Sequence, residues 1–492
     1  MTRKPVVLIT DNINPTAVKI LDDTCEVVFE KSLTPEQLLE KIPNADALMI
    51  RSASTVTQDV LKVAPNLKIV GRAGVGTDNI DLKQATQHGV IVVNSPEGNT
   101  VAASEHTVVM LMAMVRHIPE ADVSMKAGKW DRKKLTGVEL FGKTLGLIGL
   151  GKIGSRVAKA CMAMGMKVKV YDPYLSPAHA ENLGVEQVEL EVIWETADFI
   201  TLHVPKTRET TNLVNKETFA KCKPGVRFIN CARGGIINEA DLAEALKNGQ
   251  VAAAALDVFD GEPLDTASPL LSLGEHQNKI VLTPHLGAST EEAQVNVAID
   301  VAEQIRDFFT HGSAQNAVNI PMLRKELLDP VREFMPMAEV LGNLVRQLAK
   351  GATQSIEMTA KGTLSEHKTS PLTLAVLKGL LSHAREGVNY VNAPVIADEA
   401  GFKVKESSVS KAENYTNQLV VTLTTTEGTY QVAGTLIAEG HFKITEVDGY
   451  LTALDPTPNV LFAPHHDRPG MVAKVASTLG DTDINISALQ VA

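Results

Sequence analysis

The sequence has little cysteine, few aromatic residues and no long apolar run, and each shortage narrows what the chain can be. Its four cysteines, Cys25, Cys161, Cys222 and Cys231, lie far apart. They form no C-x-x-C pair and no metal-ligand spacing, which excludes a disulfide framework or zinc module and fits a reducing compartment. An aromatic content of 4% is ordinary for a core built from Val, Ile and Ala. The longest apolar helical stretch, Val108–Val115, is far too short to span a bilayer. The amino-terminal MTRKPVVLIT runs almost directly into a strand, so no signal peptide is expected. Excess positive charge is also lacking. A formal charge of −11 speaks against nucleic acid or an anionic membrane as partner. An anionic ligand would need a local group of cations. The expectation is a soluble, cytoplasmic protein.

What is present centres on residues 144–172, TLGLIGLGKIGSRVAKACMAMGMKVKVYD. The apolar run Leu145, Leu147, Ile148 meets Gly149, Gly151 and Gly154, spaced as G-x-G-x-x-G. Ile153, Val157, Ala160, Cys161 and Met164 recur at helical spacing, Gly165 is a helix stop, and Val168 and Val170 open a second strand ending at Asp172. The first glycine permits a tight turn, the second lets a pyrophosphate approach the backbone, and the third lets helix pack on strand. The helix N-terminus supplies N–H groups and positive dipole to phosphates. Asp172 would accept hydrogen bonds from an adenosine ribose and repel a 2′-phosphate. A bare glycine pattern is weak evidence, but strand, helix, second strand and terminal acid together point to NAD.

At 492 residues the chain is long enough for three or four domains. Residues 1–94 alternate short apolar runs (6–9, 27–29, 47–50, 69–70 and 90–93) with helical patterns, which predicts a parallel sheet with helices on both faces. Arg51 in MIRSAS and Arg72 in GRAGVGTDN fall at strand ends, where ligands of open α/β sheets sit. Residues 95–118 pass from a loop into a long helix whose Val and Met stripe reads as core. The loop with Trp130, Arg132, Lys133 and Lys134 reads equally as solvated or as a phosphate contact. After the glycine turn, runs at 199–204, 226–230, 252–258 and 280–282 complete a second doubly wound sheet. The helix EEAQVNVAIDVAEQIRDFFT, ending near His311-Gly312, is expected to return to the first domain. Residues 318–452 read as helices first and antiparallel strands after. DPTPN at 455–459 introduces a strand (460–463), a turn, a helix (471–479) and a strand (485–491).

Hydride transfer to NAD needs a proton acceptor and a cation to grip the substrate. Three strand ends after the glycine turn supply candidates: Arg233 in NCARGG, Asp257 and Glu262 in LDVFDGEP, and His285 in LTPHLGAST. Singly, each is an ordinary structural or solvated residue. Together they are what oxidation of a secondary alcohol beside a carboxylate requires. His285 would take the hydroxyl proton, Glu262 would hold the imidazole and raise its pKa, and Arg233 would bind the carboxylate.

Through GLGKIG, NCARGG, DVFDGEP and TPHLGAST the sequence resembles the D-isomer-specific 2-hydroxyacid dehydrogenase family. The likeness extends over nearly the whole chain, including RSAS, RAGVGTDN, NTVAASEHT and GKWDRKK. The resemblance implies two doubly wound domains: a flavodoxin-like substrate domain (1–98 with 286–315) and a Rossmann NAD domain (99–285). An α+β intervening domain (316–454) and a partial, ferredoxin-like ACT segment (455–492) follow. It implies catalytic roles for Arg233, Glu262 and His285. The cofactor would be lined by Val75, Gly149, Gly151, Lys152, Ile153, Gly154, Asp172, Val204, Cys231, Ala232, Arg233, Asp257, His285, Gly287 and Ala288. Substrate would meet Arg51, Ser52, Arg72, Gly74, Asn99 and Arg132 besides Arg233 and His285. The implied reaction is oxidation of a small phosphorylated 2-hydroxy acid, 3-phospho-D-glycerate to 3-phosphohydroxypyruvate, the first step of L-serine biosynthesis. A homodimer or homotetramer is implied through the Trp130 loop. In the tail, His466, Asp467, Asn485 and Ile486 would meet L-serine as regulator. That segment stops after β-α-β, half of an ACT sheet, so an unpaired edge is expected. A glyoxylate or hydroxypyruvate reductase and an NAD-sensing corepressor are the alternatives, and the cations and carboxyl-terminal domains weigh against both.

Overall fold

A computed structural model describes residues 3–457, 459–466 and 468–491. The first sheet comprises β1 (Val6–Ile9), β2 (Glu26–Phe29), β3 (Ala47–Ile50), β4 (Ile69–Arg72) and β5 (Ile91–Asn94). Its strands are all parallel, in the flavodoxin-like order β2-β1-β3-β4-β5. Helices cover both faces, so β3 is buried at every residue, and this explains why the strands read as continuous apolar runs.

The second sheet holds β6 (Thr144–Ile148), β7 (Lys167–Tyr171), β8 (Glu186–Gln187), β9 (Phe199–Leu202), β10 (Val226–Asn230), β11 (Val251–Leu256) and β12 (Ile280–Leu282). Its order, β12-β11-β10-β9-β6-β7-β8, is that of a Rossmann sheet. Strand order reverses between β6 and β9, and the crevice outside their carboxyl ends is where such sheets bind ligands. The two-residue β8 is too short to leave a periodic signal in the sequence.

Two long helices join the sheets. The helix Thr100–Val115 leads into the second sheet, and its Met110, Leu111, Met114 and Val115 pack with Leu145, Leu147 and Ile229. The helix Glu291–His311 returns to the first, where Val297, Ala298, Val301 and Ile305 pack with Val7, Ile9, Ile69 and Val93. Thr290 caps it by accepting the Ala293 N–H at 3.1 Å, and Gly312 at φ 68° ends it. Beyond it, the Asn319 side chain accepts from the Val92 N–H and donates to the Val90 carbonyl, both at 2.9 Å, which covers the exposed edge of β5.

The third sheet contains β13 (Thr353–Gly362), β14 (Lys403–Val409), β15 (Asn417–Thr425), β16 (Thr429–Ala438), β17 (His441–Val447) and β18 (Tyr450–Leu454), in the order β14-β13-β15-β16-β17-β18. It departs from an antiparallel array. β13 precedes the helices Ser370–Ser382 and Ala393–Glu399 and pairs parallel with β14. A helical crossover between the two strands carries the chain back to the same end, which makes them parallel. The helix Ser370–Ser382 is buried on nearly all sides because it lies between this unit and the first: its Leu374, with Val391, enters the core of the first sheet.

The tail differs from expectation. Among the described residues only the helix Met471–Asp481 forms, and the strands expected at 460–463 and 485–491 are absent, so the ACT-like β-α-β is not built. A strand requires a ladder of backbone hydrogen bonds, and among the described residues neither segment forms one; residues 485–491 touch β18 only through the Gln490 side chain, which accepts from Thr452 and Ala453. No residue of that helix is buried. Among the described residues no helix is long and apolar enough to cross a membrane.

Leu374 is 1% exposed in a core drawn from two units. Leu374→Ala should cost about 2–5 kcal/mol by leaving a cavity there. Thermal or urea unfolding checks this, and an unchanged stability would contradict the shared core.

Candidate active site

The glycine turn closes at the β6 carboxyl end. Gly149 has φ 94° and donates its N–H to the Tyr171 carbonyl at 2.9 Å, and a Cβ there would stand 2.6 Å from the His203 carbonyl oxygen. At Gly154 a Cβ would meet the Gly149 oxygen at 2.2 Å, so only hydrogen lets the helix Lys152–Ala163 seat on the turn. Gly151, the cap of that helix, has open space where a side chain would be. The first-turn N–H groups have no partner within the helix and face a ligand-sized approach, as a pyrophosphate site requires. Asp172 follows β7 and accepts from the Leu150 N–H at 2.7 Å and the Tyr174 N–H at 2.9 Å, one on each oxygen. Each oxygen keeps a lone pair for a ribose hydroxyl. Val204 lies beside the turn, within 2.9 Å of where a Gly149 Cβ would be. Burial pushes the neighbouring His203 down to about 4, so this imidazole is neutral. The Lys152 ammonium pairs across the crevice with Glu97. The donor set and the open cradle therefore fit a dinucleotide.

Three later strands of the same sheet deliver the proposed chemistry. After β10, the Asn230 side chain accepts from the Ala232 N–H at 3.0 Å and donates to the Arg233 carbonyl at 2.8 Å, which shapes the turn. The Arg233 guanidinium reaches out of this sheet to Asp78 of the first unit, at 3.3 Å. After β12 comes His285, in the left-handed region at φ 56°. Its Nδ1 lies 2.7 Å from Glu262 Oε2, while Glu262 Oε1 accepts from the Phe259 N–H at 3.1 Å. No hydrogen bond from the described residues engages His285 Nε2.

Asp257, after β11, is fully buried. Its carboxylate receives the Thr283 hydroxyl at 2.6 Å, the Leu286 N–H at 2.7 Å and the Gly287 N–H at 2.8 Å, and His106 Nε2 lies 3.1 Å away. Burial alone would raise its pKa, but the bonds from His106, Thr283 and Leu286 outweigh that and hold it below the ordinary carboxylate value. Its oxygens are thus engaged by the chain itself. Burial, with the Asp257 charge, pushes the Cys231 thiol up to about 12, so Cys231 is no nucleophile.

From the first sheet come Arg51 and Arg72. Burial, joined by the Arg233 and Arg51 charges and opposed by Asp78 and Asp11, lowers Arg72 to about 10. Three guanidiniums from two sheets thus share one field. The loop between them is glycine-rich because two of them lie on it: a Cβ on Gly74 would overlap the Arg72 guanidinium, and one on Gly76 would stand 2.6 Å from an Arg233 nitrogen. Arg72 Nε and Asn99 Oδ1 are buried with no hydrogen-bond partner among the described residues, as donors and acceptors of a ligand site can be. Ser52 and Arg132 are exposed, and no hydrogen bond joins them to this group within the chain. His466, Asn485 and Ile486 are likewise exposed and share no hydrogen bond, and Asp467 lies outside the described residues.

Sequence reasoning did not single out Asp78, His106, Asn230 or Thr283. Asp78 and Asn230 stood inside quoted motifs; Asn230 is next to the turn it shapes, whereas Asp78 is far in the chain from the Arg233 it meets. His106 in NTVAASEHT and Thr283 in LTPHLGAST also stood inside quoted motifs, but a single histidine on a helix read as core gave no role of its own.

The fold and the crevice define a dehydrogenase that binds a dinucleotide. Residues 108–287 match the family model described as D-isomer specific 2-hydroxyacid dehydrogenase, NAD binding domain, and residues 330–448 match the D-3-phosphoglycerate dehydrogenase intervening domain. The structure is similar to D-lactate dehydrogenase from Aquifex aeolicus, solved with NAD and lactic acid, with a TM-score of 0.57 and 26% identity over 63% of this chain and 98% of that one. Along the sequence the chain is 47% identical to D-3-phosphoglycerate dehydrogenase of Synechocystis, over 99% of this chain and 87% of the relative. It is 44% identical to the protein of that name from Methanocaldococcus jannaschii, over 99% and 92%. The chain belongs to the D-3-phosphoglycerate dehydrogenases of the D-isomer specific 2-hydroxyacid dehydrogenase family.

The 2.2 Å approach at Gly154 sets a test of the turn. Gly154→Val should abolish NAD binding measured by calorimetry, and a dissociation constant like that of the unaltered protein would contradict the geometry.

Proposed function

We propose that this chain oxidises 3-phospho-D-glycerate to 3-phosphohydroxypyruvate with NAD, the step that opens L-serine biosynthesis. The observation carrying this reading is the convergence of Arg51, Arg72 and Arg233 on one crevice of an acidic protein, beside His285 and Glu262. A substrate with a carboxylate at one end and a phosphate at the other needs such a field. In this reading Arg233 binds the carboxylate, and Arg72 and Arg51, with the Asn99 amide, take the phosphate. His285 Nε2 accepts the C2 hydroxyl proton, and Glu262 at Nδ1 fixes the tautomer and stabilises the imidazolium that results. NAD, held by the Gly149–Gly154 turn and Asp172, supplies the hydride acceptor when bound.

An unphosphorylated hydroxy acid would leave part of this cationic field unpaired, and the intervening domain at residues 330–448 weighs against a purely NAD-sensing protein. The compartment proposed is the reducing cytoplasm, in keeping with four unpaired cysteines. No serine site is proposed on the tail, where His466, Asn485 and Ile486 are exposed.

Turnover of 3-phosphoglycerate, D-glycerate and D-lactate with NAD, and with NADP in its place, tests the reading. Phosphoglycerate with NAD should be preferred, and equal rates on the three acids would sink it. His285→Ala should lower kcat by about 10²–10⁴-fold with a small change in NAD affinity, and full activity would refute the acid–base role.

We also propose a homodimer. Val101, Val109 and Met112 on the helix Thr100–Val115 and Ile118, Val123 and Met125 on the following helix, Ile118–Lys126, are exposed apolar residues, and Trp130 beyond them is 79% exposed. A patch of this kind marks a protein interface. Light scattering should give the dimer mass, with Val109→Asp shifting it toward the monomer; a monomeric parent chain would exclude the proposal.

A further inference from the structure

We propose that His106 is a positioning residue for hydride transfer, acting through the buried Asp257 carboxylate on the loop that carries His285. The inference rests on the acid–base role proposed for His285.

His285 sits at φ 56°, a backbone region that a side chain beyond glycine occupies only when its surroundings impose it. The imposition is visible. The two N–H groups that follow it, of Leu286 and Gly287, both point to Asp257, one to each oxygen. The His285 N–H itself donates to the Thr283 carbonyl at 3.0 Å, and the Thr283 hydroxyl also bonds Asp257. Asp257 is thus the post to which residues 283–287 are tied.

What holds the post is His106. It lies on the helix Thr100–Val115, one of the two that join the sheets. Its Nε2 is 3.1 Å from Asp257 Oδ1 and 3.3 Å from Thr283 Oγ1. The Thr283 hydrogen is already spent on Asp257, and a bare nitrogen lone pair would be repelled by the carboxylate. Nε2 therefore carries the proton and shares it between the two oxygens. Without that donor, a fully buried carboxylate loses one of its four partners, a costly vacancy for a charge without access to water. The loop would relax toward other arrangements, and the His285 imidazole would move with it. Misplacement of about 1 Å at a reacting group can cost 10²-fold in rate.

His106→Leu keeps the volume and removes the donor, while His106→Gln keeps a donor. In the full-length protein, kcat, the KM for 3-phosphoglycerate, NAD affinity by calorimetry and the thermal midpoint are compared. The expected result for His106→Leu is a kcat lowered about 10–100-fold, with KM, NAD affinity and thermal midpoint little changed, and with most of the loss restored in His106→Gln. A wild-type kcat in His106→Leu overturns the proposal. So does a loss that tracks the thermal midpoint and is no smaller in His106→Gln, because that is the mark of packing alone. If His106→Leu does not fold, His106→Asn, too short to span the gap, replaces it with the same outcomes. His285→Ala separates the two ideas: an inactive His285→Ala beside a normal His106→Leu sinks this inference only, and an active His285→Ala sinks the acid–base reading beneath it.

Discussion

Every functional feature of this chain depends on the constraint that parallel strands must be joined by crossovers. A crossover starts each new strand from the same end, so all carboxyl ends of a sheet lie along one edge. Two such sheets, each buried on both faces by helices, put their carboxyl-end loops into a common crevice. Arg51 and Arg72 follow strands of the first, and Arg233, Asp257 and His285 follow strands of the second. The link from Arg233 to Asp78 shows that the two edges meet.

Electrostatics sets the second condition. The chain is acidic, yet the crevice gathers three guanidiniums that are partly withdrawn from water and repel one another, as the lowered Arg72 shows. Asp11 and Asp78 offset some of that repulsion. The rest is a standing preference for an anion with more than one charge. The buried polar atoms of Arg72 and Asn99 point the same way, since both gain hydrogen bonds only when something enters. Desolvation thus works for recognition of an anion and against the stability of the fold around it.

Most of this was legible in particular residues. The runs at 6–9, 47–50 and 280–282 coincide with β1, β3 and β12, because a strand covered on both faces has no polar interruption to blur its limits. The Gly149–Asp172 unit could be read whole for a different reason: a tight turn and a close helix approach admit no side chain. The third sheet was less readable. The parallel pairing of β13 with β14 depends on a crossover, and the alternation of Ile356, Met358 and Ala360 is shared by parallel and antiparallel strands that bury one face. The tail misled because a short apolar run shows only that a strand could form, and a strand also needs a neighbour.

By itself, the sequence determined what local chemistry can carry: the sheet type, the dinucleotide turn, the acid at the second strand end, and the identities of Arg233, Glu262 and His285. These are encoded by residues close together in the chain, where sterics and spacing suffice. Only the tertiary structure decided which distant groups hold them. It set Asp78 against Arg233 and His106 beneath Asp257, across separations of more than a hundred residues. It also left the tail without its strands. Such pairings arise when separate helices and loops pack onto shared sheets, and no local pattern records which of the many possible partners will be brought within reach.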